Sequence, residues 1–159
     1  MSVIAEIGVQ APTRTASTSD APARRRRARK RISALRCLVV SEDPDRLALI
    51  ADAAADAGFQ PIACSEVASA WLLSRRERSQ LAFIDVGHAK DQSGLKDLGE
   101  HLSRSGDALV AICGDEAQPL EEIWARQIGA WLYLPGLAGR EELSSLCTEA
   151  RPVIEKLRG

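Results

Sequence analysis

Four cysteines, two histidines, a basic run and three acids are the residues whose type and spacing could do chemistry. Cys37, Cys64, Cys113 and Cys147 are widely spaced, with no CxxC pair, and only His88 and His101 could join them. That pattern gives a zinc site little support. It fits small buried thiols in a reducing, cytoplasmic compartment. Arg24, Arg25, Arg26, Arg27, Arg29, Lys30 and Arg31 form the run RRRRARKR. Such a run attracts the phosphates of nucleic acid or anionic membrane by counterion release. It equally suits a solvated tail, and no interleaved aromatics provide base stacking. Glu42, Asp43 and Asp85 directly follow short apolar runs. Taken alone, Glu42 and Asp43 read as helix-start electrostatics and Asp85 as a plain strand-end aspartate.

The elements that must position these residues occupy most of the chain. Its 159 residues carry a net charge of -1, with 45% hydrophobic and 27% charged residues. Those values exclude a fully disordered, collagen-like or disulfide-scaffold chain. No apolar run approaches the length of a membrane span. The net charge conceals two segments. Residues 1–34 hold 8 Lys/Arg and 2 Asp/Glu, a net of +6, and residues 35–159 hold 13 and 20, a net of -7. Residues 1–34 are expected to be a disordered basic arm, since Ala, Thr, Ser and Pro dominate its start without an apolar period. Glu6 stands where a secretory signal would have its basic region.

From Leu35 onward, short apolar strands alternate with helical periodicity. Strands are expected at Cys37–Val40, Phe59–Cys64, Leu81–Ile84, Ala108–Cys113 and Ala130–Leu134. Asp43 and Pro44 suit the start of the first helix, and Gly58 its end. Pro152 is expected to kink or end the last helix. Five strands alternating with five helices predict a doubly wound α/β domain over residues 35–159 with a parallel sheet. In such sheets the functional surface lies beyond the carboxyl ends of the strands. The loop after the first strand has no Ser/Thr/Gly-rich phosphate cradle, which argues against a flavin.

Residues 35–150 resemble the receiver domain of response regulators. LVVSEDPD is similar to that family's first strand and acidic pair, LAFIDV to its phosphoacceptor strand, and IGAWLYLPG to the segment from the fourth helix through strand five. The resemblance implies a flavodoxin-like, three-layer α/β/α fold with strand order 2-1-3-4-5. It implies that Asp85 is the phosphoacceptor, with Glu42, Asp85 and the Gly87 carbonyl as a possible Mg²⁺ site. In the family, a hydroxyl residue, a lysine and a strand-five aromatic read out the modification.

Several positions depart from that pattern. Ser41 stands where the first acid is usual, Cys113 replaces the hydroxyl and Gly136 replaces the lysine. Tyr133 matches the switch aromatic. Lys90 and Arg140 are the candidates to replace the lost charge. These departures point to an atypical, pseudo-receiver type of module with impaired or absent phosphorylation and no resident cofactor. It would act by protein–protein contact in a two-component phosphorelay. Trp124, Trp131 and Tyr133 are expected on a helix 4–strand 5–helix 5 face that meets a histidine kinase, another signalling protein or a second copy, with Trp131 the exposed anchor. The alternatives are a working Mg²⁺-dependent phosphoacceptor and an adaptor tethered to nucleic acid or membrane by the basic arm.

Overall fold

The computed structural model describes residues 34–158. The basic run and the expected disorder of the arm lie outside the described residues. The five strands are β1 (Leu35–Val40), β2 (Phe59–Cys64), β3 (Leu81–Asp85), β4 (Leu109–Gly114) and β5 (Leu132–Pro135). The five helices are α1 (Pro44–Asp56), α2 (Val67–Arg76), α3 (Gln92–Ser105), α4 (Pro119–Gln127) and α5 (Arg140–Arg158). All pairings are parallel, in the order β2-β1-β3-β4-β5. The sequence expectation of an α/β doubly wound sheet is met.

The sheet is covered on both sides, and β1 shows how. Alternate strand residues point to opposite faces. Cys37 and Val39 join Ile50, Ala53 and Ala54 of α1 and Leu143, Cys147 and Ala150 of α5 in one core. Leu38 and Val40 join Ala70, Leu95, Leu98 and Ala125 of the other three helices in a second core. This double burial explains why β1 and β3 read as continuous apolar runs rather than alternating ones. All four cysteines are buried and free.

The helix boundaries follow local chemistry. The Asp43 carboxylate accepts hydrogen bonds from the Asp45 and Arg46 N–H groups, with Pro44 beginning the helix. Gly58 ends that turn at a φ of 91°. Pro152 does not end the helix, because α5 continues to Arg158. The proline forgoes one bond to the Thr148 carbonyl. Burial of Leu143, Cys147, Ala150 and Ile154 along one face holds the helix together across that gap. β5 also begins two residues later than expected, at Leu132. Among the described residues, no helix is long and apolar enough to cross a membrane.

Candidate functional site: a carboxylate held by an arginine

The site forms where β1, β3 and β4 end together. Val40 lies beside Ile84, and Asp85 lies beside Cys113, so Ser41, Asp85 and Cys113 share one rim of the sheet. Asp85 is almost fully enclosed, with 3% of its surface exposed. Three of its four lone-pair sites accept hydrogen bonds, two on Oδ2 and one on Oδ1. Arg46 Nε donates to Oδ2 at 2.7 Å and Arg46 Nη2 to Oδ1 at 3.0 Å. Ser41 Oγ donates to Oδ2 at 2.7 Å. A planar guanidinium fits a carboxylate in this forked manner, and charge-assisted bonds of this kind are the strong ones. The contact with Asp85 raises the Arg46 pKa further, so the cation is permanent.

Sequence reasoning missed Arg46. The signal was available in its position, because Arg46 lies in the first turn of α1. A cation there opposes the helix dipole and calls for a specific anionic partner. Of the two expected replacements for the lost lysine, Arg140 is committed elsewhere, while Lys90 is held at this rim by its backbone. Arg140 forks onto Asp56 at 2.7 and 2.9 Å, joining α5 to α1. Lys90 gives its backbone N–H to Glu42. Gly136 sits in the left-handed region at a φ of 82°, and a Cβ there would lie 3.0 Å from the Glu116 carboxylate.

Glu42 and Asp85 therefore engage different partners. The Glu42 carboxylate accepts from the N–H groups of Lys90 and Asp91 at 2.8 and 3.0 Å, clamping the loop after β3. Those two bonds lower its pKa. Gly87 fits the same rim for steric reasons. A Cβ on it would lie 3.0 Å from the Gly114 carbonyl carbon. This donor set does not fit the Mg²⁺ that the resemblance implies. A serine replaces one acid, the second acid is bound to backbone, and a guanidinium already neutralises the third. Among the described residues, no group of three or more His, Cys, Asp or Glu side chains is arranged to hold a metal.

Cys113 and Tyr133 lie next to this rim. Burial and the Asp85 charge push the Cys113 thiol up to about 12, partly offset by Arg46. A thiol of that kind is neither a reactive thiolate nor a strong hydrogen-bond donor. Tyr133 and Trp124 pack against the α2–α3–α4 core, whereas Trp131 packs against the α1–α5 core. Trp131 is thus half-buried rather than the exposed anchor expected. Its backbone N–H donates to the Val110 carbonyl at 2.7 Å just before β5. The large apolar side chains that do face solvent on α4 are Leu120 and Ile123, 73% and 51% exposed. A groove of about 330 Å³ lies between α4 and β5, lined by Glu122, Arg126, Trp131 and Tyr133.

No family model and no curated protein matches this chain. Solved structures do match. A receiver domain of Methanospirillum hungatei is 21% identical, with a TM-score of 0.68, over 78% of this chain and 98% of that one. A response regulator of Thermotoga maritima is also 21% identical, with a TM-score of 0.62, over 77% and 98%. An orphan response regulator of H. pylori is 14% identical, with a TM-score of 0.63, over 73% and 95%. At these identities the likeness concerns architecture. The described residues share the five-stranded fold of response-regulator receiver domains.

Proposed function

We propose that this protein is an atypical receiver-like signalling module that works by protein–protein contact, with Asp85 withdrawn from phosphotransfer. The supporting observation is the burial of Asp85 against Arg46 and Ser41, which take both lone-pair sites of Oδ2 and one of the two on Oδ1. Attack on a phosphoryl group needs a carboxylate oxygen with a free lone pair directed at phosphorus. It also needs cationic neutralisation of the incoming charge. Here the cation is bound to the nucleophile itself, and the carboxylate is buried behind it. The Cys113 and Gly136 positions offer neither a hydroxyl nor an ammonium group for a phosphoryl oxygen.

The test is intact-mass measurement after incubation with a small acyl phosphate and Mg²⁺. The expected result is no added phosphoryl group. An added phosphoryl group that disappears in Asp85→Asn would establish the opposite reading, a working phosphoacceptor.

Contact with a partner, or with a second copy, is assigned to the α4–β5–α5 face. The groove between α4 and β5 supports this, because Trp131 and Tyr133 help to line it and aromatic side chains are enriched at interface cores.

A further inference from the structure

The position of Tyr133 carries an inference that rests on the reading of Asp85 as withdrawn, and extends it to the opposite side of β4. Tyr133 lies beside Ile112 in the sheet, one residue before the Leu134–Cys113 pair. Its ring is turned inward over Gly114. A Cβ on Gly114 would lie 2.6 Å from Tyr133 Cε1 and 2.7 Å from Cζ, and would collide with the phenol oxygen. Real Cβ atoms do not approach so closely, so the ring occupies space that only glycine leaves.

The Gly114 backbone cannot retreat to make room. Gly87 packs against its other side, where an added Cβ would lie 3.0 Å from the Gly114 carbonyl carbon. The Gly114 carbonyl is also tied to the Gly136 N–H at 2.8 Å. Gly87, Gly114 and the Tyr133 ring thus form one stack.

Glu121 closes the slot from α4. It is buried, with 4% exposed, although it is a charged residue in a helix first turn. Its Oε1 accepts from the Asp115 N–H at 2.9 Å, which fixes the chain immediately after Gly114. The Tyr133 hydroxyl is enclosed and has no hydrogen-bond partner. Burial and the negative charge of Glu121 both act on that hydroxyl to raise its pKa. At the Asp85 end, Cys113 supplies no hydroxyl through which Asp85 could pull on the stack.

We propose that Gly114 and Glu121 are positioning residues that seat Tyr133 inward, so that the α4–β5 face is set from α4 and not from the state of Asp85. Both act through Tyr133.

The chain has a single tyrosine. Full-length protein grown with 3-fluorotyrosine therefore gives one ¹⁹F resonance, which reports this ring alone. In the wild-type chain the resonance is expected to be sharp and protected from a soluble gadolinium chelate. Asp85→Asn and Arg46→Ala are expected to leave its protection unchanged. Gly114→Ala is expected to move it towards free fluorotyrosine and expose it to the chelate. Glu121→Leu is expected to expose it in part, and Glu121→Gln to restore protection, since an amide oxygen still accepts from Asp115. Circular dichroism checks each fold, and the Glu121 pair carries the test if Gly114→Ala does not fold.

A wild-type resonance open to the chelate would overturn the proposal. So would a shift in Asp85→Asn as large as that in the Glu121 or Gly114 variants. Both outcomes are separate from the intact-mass result, which reads Asp85 alone. A phosphorylated chain with a protected, unmoved resonance would sink the reading of Asp85 and leave the seat standing.

Discussion

At the residue scale, the pair of Arg46 and Asp85 decides what the site can do, and its two partners are not equivalent. Asp85 is buried, whereas 23% of the Arg46 side chain is exposed. Removing the arginine strands a buried charge. Removing the aspartate leaves a cation that can turn to water. Breaking a buried pair from one side costs about 3–5 kcal/mol, and partial exposure lowers that here. Arg46→Ala is therefore expected to lower unfolding free energy by roughly 2–3 kcal/mol, and Asp85→Asn by less, as read by urea denaturation. Arg46→Lys should recover only part of the loss, because an ammonium cannot fork onto both oxygens. An Asp85→Asn cost exceeding that of Arg46→Ala would contradict this asymmetry. Gly87→Ala brings a Cβ against backbone that cannot turn aside, and about 1–3 kcal/mol of destabilisation is expected in the same assay.

At the element scale, α5 tests how far tertiary burial overrides a local rule. Pro152 lies inside the helix and is exposed, while the opposite face packs on the sheet. Pro152→Ala restores the bond to the Thr148 carbonyl without touching the core. A rise in thermal midpoint is expected, corresponding to about 1 kcal/mol or more. A fall would mean that the proline packs usefully where it stands. The same helix shows where sequence reading stops. The strands were legible because double burial writes itself as unbroken apolar runs, and the cap of α1 because Asp43 and Pro44 have few other reasons to adjoin. The continuation of α5 was not legible, because it depends on burial by partners distant in sequence. Asp85 and Glu42 could be placed at strand ends from their positions alone. The bonds that each makes could not, since Arg46 reaches Asp85 across 39 residues and Lys90 reaches Glu42 across 48.

At the scale of the whole molecule, the buried thiols and the phenol set the response to alkali. Burial pushes Cys147 up to about 12, and Cys113 also reaches about 12. Tyr133 is raised to about 12 by burial and by the negative field of Glu121 and Glu122. Groups with raised folded pKa values bind protons more tightly in the folded state. Their contribution is complete below the unfolded values, about 8.5 for thiols and about 10 for tyrosine, and is lost as pH rises through the folded ones. Stability should thus fall progressively between about pH 8.5 and 12, as followed by chemical denaturation. A flat profile across that interval would contradict the burial of these groups. The described domain also carries its charge unevenly in function. Of the -7 in residues 35–159, the Asp85 carboxylate is neutralised internally by Arg46. The buried carboxylate at the strand ends is therefore already paired with the chain's own cation.

That cation can be observed directly. The Nε–H of a guanidinium forked onto a buried carboxylate exchanges slowly with solvent, whereas those of free arginines exchange fast. In ¹⁵N-labelled protein, the account predicts a protected Arg46 Nε–H resonance that vanishes in Asp85→Asn and persists in millimolar Mg²⁺. An Arg46 resonance that is unprotected in the wild-type chain, or that Mg²⁺ abolishes, would contradict it.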